Sequence, residues 1–403
     1  MVKLSITDLA VFDGVPAFPE PLHVGRPNIG DRDRFFERVS IMFDRRWLTN
    51  RGPFVQEFEQ RLTQFLGVKH CIAMCNATVG LEIAIRALGL HGEVIVPSFT
   101  FIATAHALQW QEITPVFCDV DPATHNLDPM KVETLITPRT TGIIGVHVWG
   151  RPCAIEALQK TATKFHLKLM FDAAHAFGNS YQGQMIGNFG QAEVFSFHAT
   201  KFFNTFEGGA VVTNDDDLAE RIRLMTNFGF SGYDNVVYVG TNGKMSEVSA
   251  AMGLTSLESL NAFITVNQQN YVAYQKGLEG IPGLHLITYA DTAKCNYQYI
   301  IVEVDKDVMG ISRDDLVRVL HAEKILARRY FYPGCHEMEP YRSYFPHAGL
   351  LLPQTERLTQ RVMSLPTGTA VGQDEIADVC AIIRLAVENG RELTRRLSEL
   401  KGN

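Results

Sequence analysis

Between residues 71 and 213, short apolar runs of strand length alternate with longer amphipathic runs typical of helices. The strand-like runs cover residues 71–75, 93–96, 115–120, 143–148, 168–171, 193–197 and 209–213. The helix-like runs cover residues 78–88, 101–109 and 155–166, and an earlier run at 54–65 ends before Gly67. Because parallel strands are joined through helices, this alternation predicts an α/β fold with a large, mostly parallel central sheet covered by helices.

The pattern changes after about residue 262, and a chain of 403 residues is long enough for two domains. The later strand-like runs cover residues 284–288 and 297–304, and the later helix-like runs cover 313–323 and 374–389. We therefore predict a large α/β domain with an N-terminal arm at 1–262 and a smaller C-terminal α+β domain at 263–403. The segment 331–353 is rich in Pro, Gly, His and Tyr, and we expect it to be functional.

The composition is that of an ordinary globular chain, with 46% hydrophobic residues, 20% charged residues and a net charge of −7. This acidic balance argues against a nucleic-acid partner. No uninterrupted apolar run is long enough to cross a bilayer, and Asp8 and Asp13 lie where a signal peptide needs apolar residues. The seven cysteines are scattered without a Cys-x-x-Cys pair, and the histidines show no zinc-ligand spacing. We expect a cytoplasmic protein with no membrane partner and no metal.

Polar residues follow several strand-like runs directly. Asn76, Ser98, His147 and Asp172 each stand just after such a run. In sheets of this kind, ligands bind beyond the carboxyl ends of the strands. We therefore expect these four residues to meet at one rim of the sheet.

Lys201 follows Asp172 by 29 residues. A lysine amine can form a Schiff base with pyridoxal phosphate (PLP), and an ionised Asp against the pyridinium nitrogen makes the ring an electron sink. Phe202 and Phe203 come next, and we expect them to desolvate the amine and lower its pKa. The spacing alone is equally compatible with a buried core Asp and an unrelated surface lysine.

Three further segments fit a cofactor site, and each also has an ordinary structural explanation. Small residues at 75–80 would let a phosphate approach a helix N-terminus, although Asn76 or Thr78 could simply cap that helix. An aromatic residue at 97–101 could stack on a ring or pack in the core. The glycines at 208 and 209 allow a close approach of the backbone or make a turn.

Together these segments resemble the DegT/DnrJ/EryC1/StrS family of sugar aminotransferases, which are fold-type I PLP enzymes. The resemblance extends from about Asp44 to Pro366. The motifs stand in order at 48–53, 76–78, 97–101, 146–150, 172–175, 196–201, 207–209, 242–245 and 365–366. The ordered set is specific, although no single motif is.

The resemblance implies roles for individual residues. Lys201 would carry the cofactor, and Asp172 would face its pyridine nitrogen. The other implied contacts are Ala77, Thr78 and Ser196 around the phosphate, Phe101 on the ring, His175 beside the 3-oxygen, and Asn242 of the neighbouring subunit on the phosphate. The last of these implies a homodimer with shared active sites. No role follows for His198, which we interpret as a hydrogen-bonded structural histidine.

The resemblance also implies a reaction, in which an amino group passes from L-glutamate to a keto sugar through pyridoxamine phosphate. Many members have Asn-Tyr-Arg-Met where this chain has Asn242-Gly243-Lys244-Met245. This form is most similar to the transaminases that make dTDP-4-amino-4,6-dideoxyglucose, a sugar of surface polysaccharides such as O-antigen and of natural-product glycans. We therefore expect amination at C4 of a nucleotide-linked 4-keto-6-deoxy sugar, with gluco or galacto stereochemistry left open.

Several alternatives remain at this stage. The substrate could be a C3 keto sugar or GDP-4-keto-6-deoxymannose. The related PLP dehydratases have His in place of the lysine, whereas this chain has Lys201. A nicotinamide oxidoreductase needs Gly-x-Gly-x-x-Gly after its first strand, and residues 75–80 do not supply it. A non-enzymatic sensor would not need Lys201 and Asp172 together.

Overall fold

The computed structural model describes residues 3–290 and 293–400. In this part of the chain the strands are β1 (Leu22–His23), β2 (His70–Met74), β3 (Glu93–Pro97), β4 (Thr114–Cys118), β5 (Thr140–Val146), β6 (Lys168–Asp172), β7 (Ser180–Tyr181), β8 (Gln184–Met185), β9 (Ala192–Ser196), β10 (Gly209–Thr213), β11 (Leu284–Leu286), β12 (Ile300–Val304), β13 (Ile325–Leu326) and β14 (Val362–Leu365).

The α-helices of the same residues are α1 (Arg32–Arg45), α2 (Pro53–Leu66), α3 (Ala77–Ala87), α4 (Ala103–Gln109), α5 (Pro129–Val132), α6 (Ile155–Lys164), α7 (Asp216–Thr226), α8 (Glu247–Glu258), α9 (Leu260–Leu278), α10 (Lys306–Met309), α11 (Arg313–Ala322), α12 (Tyr341–Tyr344), α13 (Pro353–Arg361), α14 (Gln373–Glu388) and α15 (Gly390–Glu399). Short 3-10 turns lie at Ile6–Asp8, Ala10–Phe12, Glu133–Leu135, Val148–Gly150, Cys335–Glu337 and Ala348–Leu351. None of these helices combines the length and apolarity that a membrane span requires.

The central sheet has seven strands within the described residues, in the order β2-β10-β9-β6-β5-β3-β4. All its neighbouring strands run parallel except β10, which is antiparallel to both β2 and β9. The predicted α/β class with a mostly parallel sheet is therefore confirmed. The carboxyl ends of the parallel strands meet at one edge, where a ligand can bind.

Apolar side chains cover both faces of this sheet. In β6, Leu169 and Phe171 pack into one core, while Met170 between them packs into the other. Successive side chains of a strand point to opposite faces, so a strand buried on both sides must be apolar throughout. The continuous apolar runs of the sequence follow from this burial.

A second core lies around the antiparallel sheet β11-β12-β14 with α9, α11 and α14. The apolar residues Ile6, Leu9 and Phe18 of the N-terminal arm pack into this C-terminal core. The predicted boundary after residue 262 falls inside α9, and the domain ranges stay a prediction. Those ranges also include residues 1–2, 291–292 and 401–403, which lie outside the described residues.

Several predicted strands end or begin at different residues from those expected, and two of them show why. The run at 143–148 leaves the sheet after Val146, because the chain turns through Val148–Gly150 with Trp149 at φ 63°. The run at 297–304 joins the sheet only at Ile300. There the backbone N–H of Gln298 donates to the side chain of Asn296 at 3.0 Å instead of to a neighbouring strand.

Candidate active site

A cavity of about 340 Å³ lies at the carboxyl ends of the parallel strands. The predicted site residues that line it are Ala77, Thr78, Phe101, Asp172, His175, Ser196 and Lys201. They come from segments separated by up to 124 positions in the chain, and the parallel sheet brings their strand ends to one place. Asn242 does not line this cavity.

The Lys201 side chain is half-buried, and its amine lies within the cavity, 3.2 Å from the hydroxyl of Tyr299. Burial lowers the pKa of this amine to about 8, against the opposing influence of Tyr330 and Asp172. Phe202 and Phe203 are both buried, as the expected desolvation requires. A larger fraction of this amine is therefore free near neutral pH than in an ordinary lysine.

Asp172 is the last residue of β6 and is buried. Its two carboxylate oxygens accept hydrogen bonds from the Thr104 hydroxyl at 2.8 Å and from the Ala174 N–H at 3.0 Å. Burial raises the pKa of this carboxyl above its usual range, and the two hydrogen bonds and Lys201 oppose that rise. In the described residues no cationic side chain forms an ion pair with Asp172, so a positively charged ligand would be favoured beside it.

The N-terminus of α3 forms another part of the cavity wall. The side chain of Asn76 caps this helix by accepting from the Val79 N–H at 2.8 Å. The N–H groups of the first helical residues, Ala77 and Thr78, have no partner within a helix and attract anions. A Cβ at Gly209 would lie 2.8 Å from the Ala77 nitrogen, so glycine is what allows β10 to approach this end so closely.

His175 is buried, and this burial holds its pKa well below its ordinary value, so the ring is neutral. Its Nδ1 accepts from the Trp149 N–H at 3.2 Å, which leaves the ring proton on Nε2 as a donor. Phe101, by contrast, is 58% exposed and lies at the cavity mouth.

Two of the four residues expected at the rim do not line the cavity, and that prediction was wrong for them. The Ser98 hydroxyl lies 2.7 Å from His336 Nδ1, and His147 Nε2 lies 3.2 Å from Glu193. Both side chains are buried among these partners. Their backbones end strands at the correct edge, but buried polar side chains must have hydrogen-bond partners, and these partners lie inside the protein.

Four C-terminal residues line the cavity that the strand-end pattern did not identify: Tyr299, Arg328, Tyr330 and Phe331. The Arg328 guanidinium lies 4.7 Å from the centre of the Tyr330 ring. Within the described residues it has no carboxylate partner, whereas the neighbouring Arg329 pairs with Asp314 at 3.3 Å. The sequence signal for these residues is weak, since it amounts to an aromatic and basic run near position 330.

His198 and Glu207 also stand in the cavity wall, with 3.3 Å between the His198 Nε2 and a carboxylate oxygen. His198 Nδ1 lies 2.8 Å from the Thr200 hydroxyl. Both ring nitrogens of His198 therefore have partners within its own chain.

Asn242 is exposed and lies beside the outer edge of β2, where the Gly243 carbonyl accepts from the Cys75 N–H at 2.7 Å. Large apolar side chains are exposed shortly before it, among them Phe228, Phe230 and Val239. An exposed apolar surface of this kind is typical of a protein interface.

A group of potential metal ligands lies outside the cavity. Ligand atoms of His336, Glu337 and Glu356 lie within 4.8 Å of one another. Both ring nitrogens of His336 have protein partners, Ser98 at 2.7 Å and Glu356 at 2.6 Å. We interpret the group as hydrogen bonds that fix the segment 331–353 against the sheet.

The cavity offers a suitable group for each of three parts of PLP. A desolvated lysine amine, a buried carboxylate, and a helix N-terminus beside a close-packed glycine match the aldehyde, the pyridinium and the phosphate of this cofactor. The fold and the cavity thus define the class of the protein, a PLP-dependent enzyme of fold-type I.

The model of the DegT/DnrJ/EryC1/StrS aminotransferase family matches residues 30–384. The chain belongs to this family, as its ordered motifs predicted. This membership confirms an aminotransferase that uses PLP.

Among similar curated proteins, the dTDP-4-amino-4,6-dideoxy-D-glucose transaminase of Shigella dysenteriae is 36% identical over 365 residues, covering 91% of this chain and 99% of the relative. The GDP-perosamine synthase of Caulobacter vibrioides is 35% identical over 326 residues, covering 79% and 86%.

Among solved structures, DesI in the presence of its TDP-sugar product is 53% identical with a TM-score of 0.94, covering 98% of this chain and all of DesI. Helicobacter pylori PseC, an aminotransferase of pseudoaminic acid biosynthesis, is 26% identical with a TM-score of 0.85, covering 92% and 100%.

Proposed function

We propose that this enzyme transfers the amino group of L-glutamate to C4 of a nucleotide-linked 4-keto-6-deoxy sugar, with dTDP-4-keto-6-deoxyglucose as the substrate. The observation that carries the reaction type is the meeting of the Lys201 amine and the Asp172 carboxylate in one cavity. The choice of sugar is supported by the TDP-sugar product of DesI and by the dTDP-sugar transaminase of Shigella.

The residues that would hold the cofactor follow from the chemistry of the cavity. Lys201 would bind it covalently, and Asp172 would stay ionised against the pyridine nitrogen. The remaining contacts would be Ala77, Thr78 and Ser196 with the phosphate, His175 with the 3-oxygen, and Phe101 with the ring face. When bound, PLP supplies an electron sink for the carbon from which the proton is removed.

Lys201 is the group that moves this proton. Its pKa of about 8, lowered by burial, leaves a useful fraction of free amine near neutral pH. Once the incoming amino donor has displaced it, the Lys201 amine would remove the proton from the α-carbon of the donor as a base and then give a proton back as an acid. In the second half of the reaction the same steps run in reverse on the sugar carbon.

The neighbouring charges would orient the substrates. Arg328, which has no carboxylate partner among the described residues, supplies a cation at the cavity wall that suits a donor carboxylate or the diphosphate of the nucleotide sugar. In a chain with a net charge of −7, such anions must be held by local donors. The glycine and lysine at 243 and 244 replace the more common Tyr-Arg pair, so we assign no sugar contact to them.

We further propose a homodimer in which Asn242 of one subunit reaches the cofactor phosphate of the other. The exposure of Asn242 and of the apolar side chains before it supports this assembly. Co-expression of Lys201→Ala chains with Asn242→Asp chains should restore activity that neither parent has, because one hybrid site then holds both intact residues. A verified mixed dimer without restored activity would argue that Asn242 serves its own chain.

A cytoplasmic location belongs to this proposal. All seven cysteines are free, as expected in a reducing compartment. The product would be an amino sugar for surface polysaccharides, including O-antigen, or for natural-product glycans.

The substrate is tested with a panel of nucleotide keto sugars, with L-glutamate as donor and NMR analysis of the product. We expect the highest kcat/KM with dTDP-4-keto-6-deoxyglucose. Because a GDP-perosamine synthase is almost as similar as the dTDP-sugar enzyme, GDP-4-keto-6-deoxymannose is the competing substrate. A nucleotide-linked C3 keto sugar is the third substrate to be compared. A higher kcat/KM with either of these would overturn the assignment.

A further inference from the structure

Tyr299 is the residue that meets the Lys201 amine most directly. Its hydroxyl oxygen lies 3.2 Å from Lys201 Nζ, within hydrogen-bond distance. Asp172, by comparison, acts on this amine through its charge, while its oxygens are hydrogen bonded to Thr104 and Ala174. The lysine thus has a hydroxyl partner that comes from the C-terminal part of the chain.

The position of Tyr299 is fixed from several sides. The Tyr289 hydroxyl donates to the Tyr299 carbonyl at 2.8 Å. The centre of the Tyr299 ring lies 4.7 Å from the centre of the His175 ring and 5.5 Å from that of the Trp149 ring. Strand β12 begins at the next residue. Tyr299 is therefore a rigid support, whose ring and backbone are both held by neighbours.

Gln298, the residue before Tyr299, contacts Phe202, the residue after Lys201. Gln298 is buried and accepts from the backbone N–H of Phe202 at 3.2 Å. Neighbouring residues of one segment thus hold the amine of Lys201 and the backbone that follows it. Such a double contact restricts a side chain that would otherwise be long and flexible.

We propose that Tyr299 is a positioning residue that holds the Lys201 amine on the path of the transferred proton. This inference rests on the proposed role of Lys201 as the proton carrier. A neutral phenol can accept a hydrogen bond from an ammonium group and donate one to a free amine. It can therefore keep the lysine in place in both protonation states, which a proton carrier needs.

Burial supports this role because it raises the pKa of Tyr299 and keeps the phenol protonated. The titratable and charged groups that face the pair are Asp172, His175, Arg328 and Tyr330. Since a phenol oxygen favours the ammonium form of its partner, removing the hydroxyl should lower the pKa of Lys201 further.

The test compares Tyr299→Phe with Tyr274→Phe. The first variant removes the hydroxyl that meets Lys201. The second removes a fully buried hydroxyl that donates to the Pro366 carbonyl at 2.9 Å, outside the cavity, and so controls for the loss of any buried phenol contact. Both are made in the full chain and assayed as holoenzyme in steady-state turnover with the glutamate concentration varied.

For Tyr299→Phe we expect kcat to fall about 10- to 100-fold while KM stays within about 2-fold, as for a misplaced proton carrier. A second measurement does not depend on activity. Full-length protein freed of cofactor is mixed with PLP, and capture is followed by visible absorbance across pH. We expect the pH midpoint of capture to move to lower pH in Tyr299→Phe and to stay unchanged in Tyr274→Phe.

Equal kcat and equal capture midpoints in Tyr299→Phe and wild type would overturn the inference. If Tyr299→Phe does not fold, Tyr289→Phe takes its place, since it frees the Tyr299 backbone that positions the hydroxyl, and its kcat must then fall. A Lys201→Ala enzyme that still turns over would instead refute the proposed function, so the two failures are distinguishable.

Discussion

The carboxylate of Asp172 provides the sharpest test of how this cavity works. Replacing Asp172 with Asn keeps the shape of the side chain. The Asn carbonyl can accept from the Ala174 N–H, and its amide can donate to the Thr104 hydroxyl once that hydroxyl turns. The substitution therefore removes the charge and preserves the packing.

The size of the kinetic effect follows from the burial of this group. Two opposite unit charges about 4 Å apart interact by about 4 kcal/mol at an effective dielectric constant of about 20. Loss of that interaction in the transition state corresponds to about a 10³-fold lower rate. We expect this fall in the glutamate half-reaction of Asp172→Asn, measured in a single turnover by absorbance.

In the cofactor-free protein, the Asp172→Asn substitution should be favourable, because it should raise the thermal stability. Since burial raises the folded-state pKa of Asp172 above its unfolded-state value, stability falls as the pH rises from the unfolded-state pKa to the folded-state pKa. Cofactor-free Asp172→Asn should thus melt at a higher temperature than wild type at neutral pH, and the gap should narrow as the pH falls.

Asp119 offers a matched control in the same fold. It is also buried, but Lys131 and the N–H groups of Gln354 and Thr355 outweigh its desolvation and lower its pKa. Asp119→Asn should therefore lose stability at neutral pH while keeping its half-reaction rate. Near-normal activity of Asp172→Asn, or a melting temperature that falls as in Asp119→Asn, would refute the role of the Asp172 charge.

The remaining predictions address the other parts of the cavity. Lys201→Ala should fold but show no turnover, and borohydride reduction of the wild type followed by peptide mapping should find the pyridoxyl group on Lys201 and on no other lysine. In the cofactor-free protein, capture of PLP should rise with pH to a midpoint near 8, because the Lys201 amine must be free to attack the aldehyde; a flat profile would contradict this. Arg328→Gln should raise KM for an anionic substrate about 10-fold, whereas the paired Arg329→Gln should not; equal effects would remove the role of Arg328. Gly209→Ala should weaken PLP binding in an absorbance titration, because its Cβ would lie 2.8 Å from the Ala77 nitrogen, and unchanged affinity would show that the backbone can yield there.

The sheet and half of the cavity could be predicted from the sequence because they depend on local patterns. Apolar runs that are buried on both faces are continuous, and the residue after such a run must lie at the edge of the sheet. Asn76 and Asp172 were located in this way. The direction of a side chain could not be predicted in this way, since the Ser98 side chain contacts His336, which is 238 positions away in the chain.

The other half of the cavity could not be predicted because it depends on how the C-terminal segment packs on the sheet. Tyr299 precedes β12 and reaches Lys201 across 98 positions. The backbone N–H of Gln298, the residue before it, donates to the Asn296 side chain instead of to a strand partner. No periodicity in the sequence predicts a contact of this kind, because it depends on the three-dimensional packing.

The two ionisable groups at the centre of the cavity share one physical property. Burial moves the pKa of Lys201 downward and that of Asp172 upward, so each is pushed towards its neutral form. A cofactor that binds the lysine amine covalently and sets a pyridinium against the carboxylate removes both strains at once. A ligand that binds only the folded state stabilises it according to its binding free energy. PLP should accordingly raise the free energy of unfolding by more than its phosphate contacts alone would. The same burial that makes these groups costly in the cofactor-free chain therefore makes the cavity selective for a ligand with an aldehyde at one position and a protonated ring nitrogen at another.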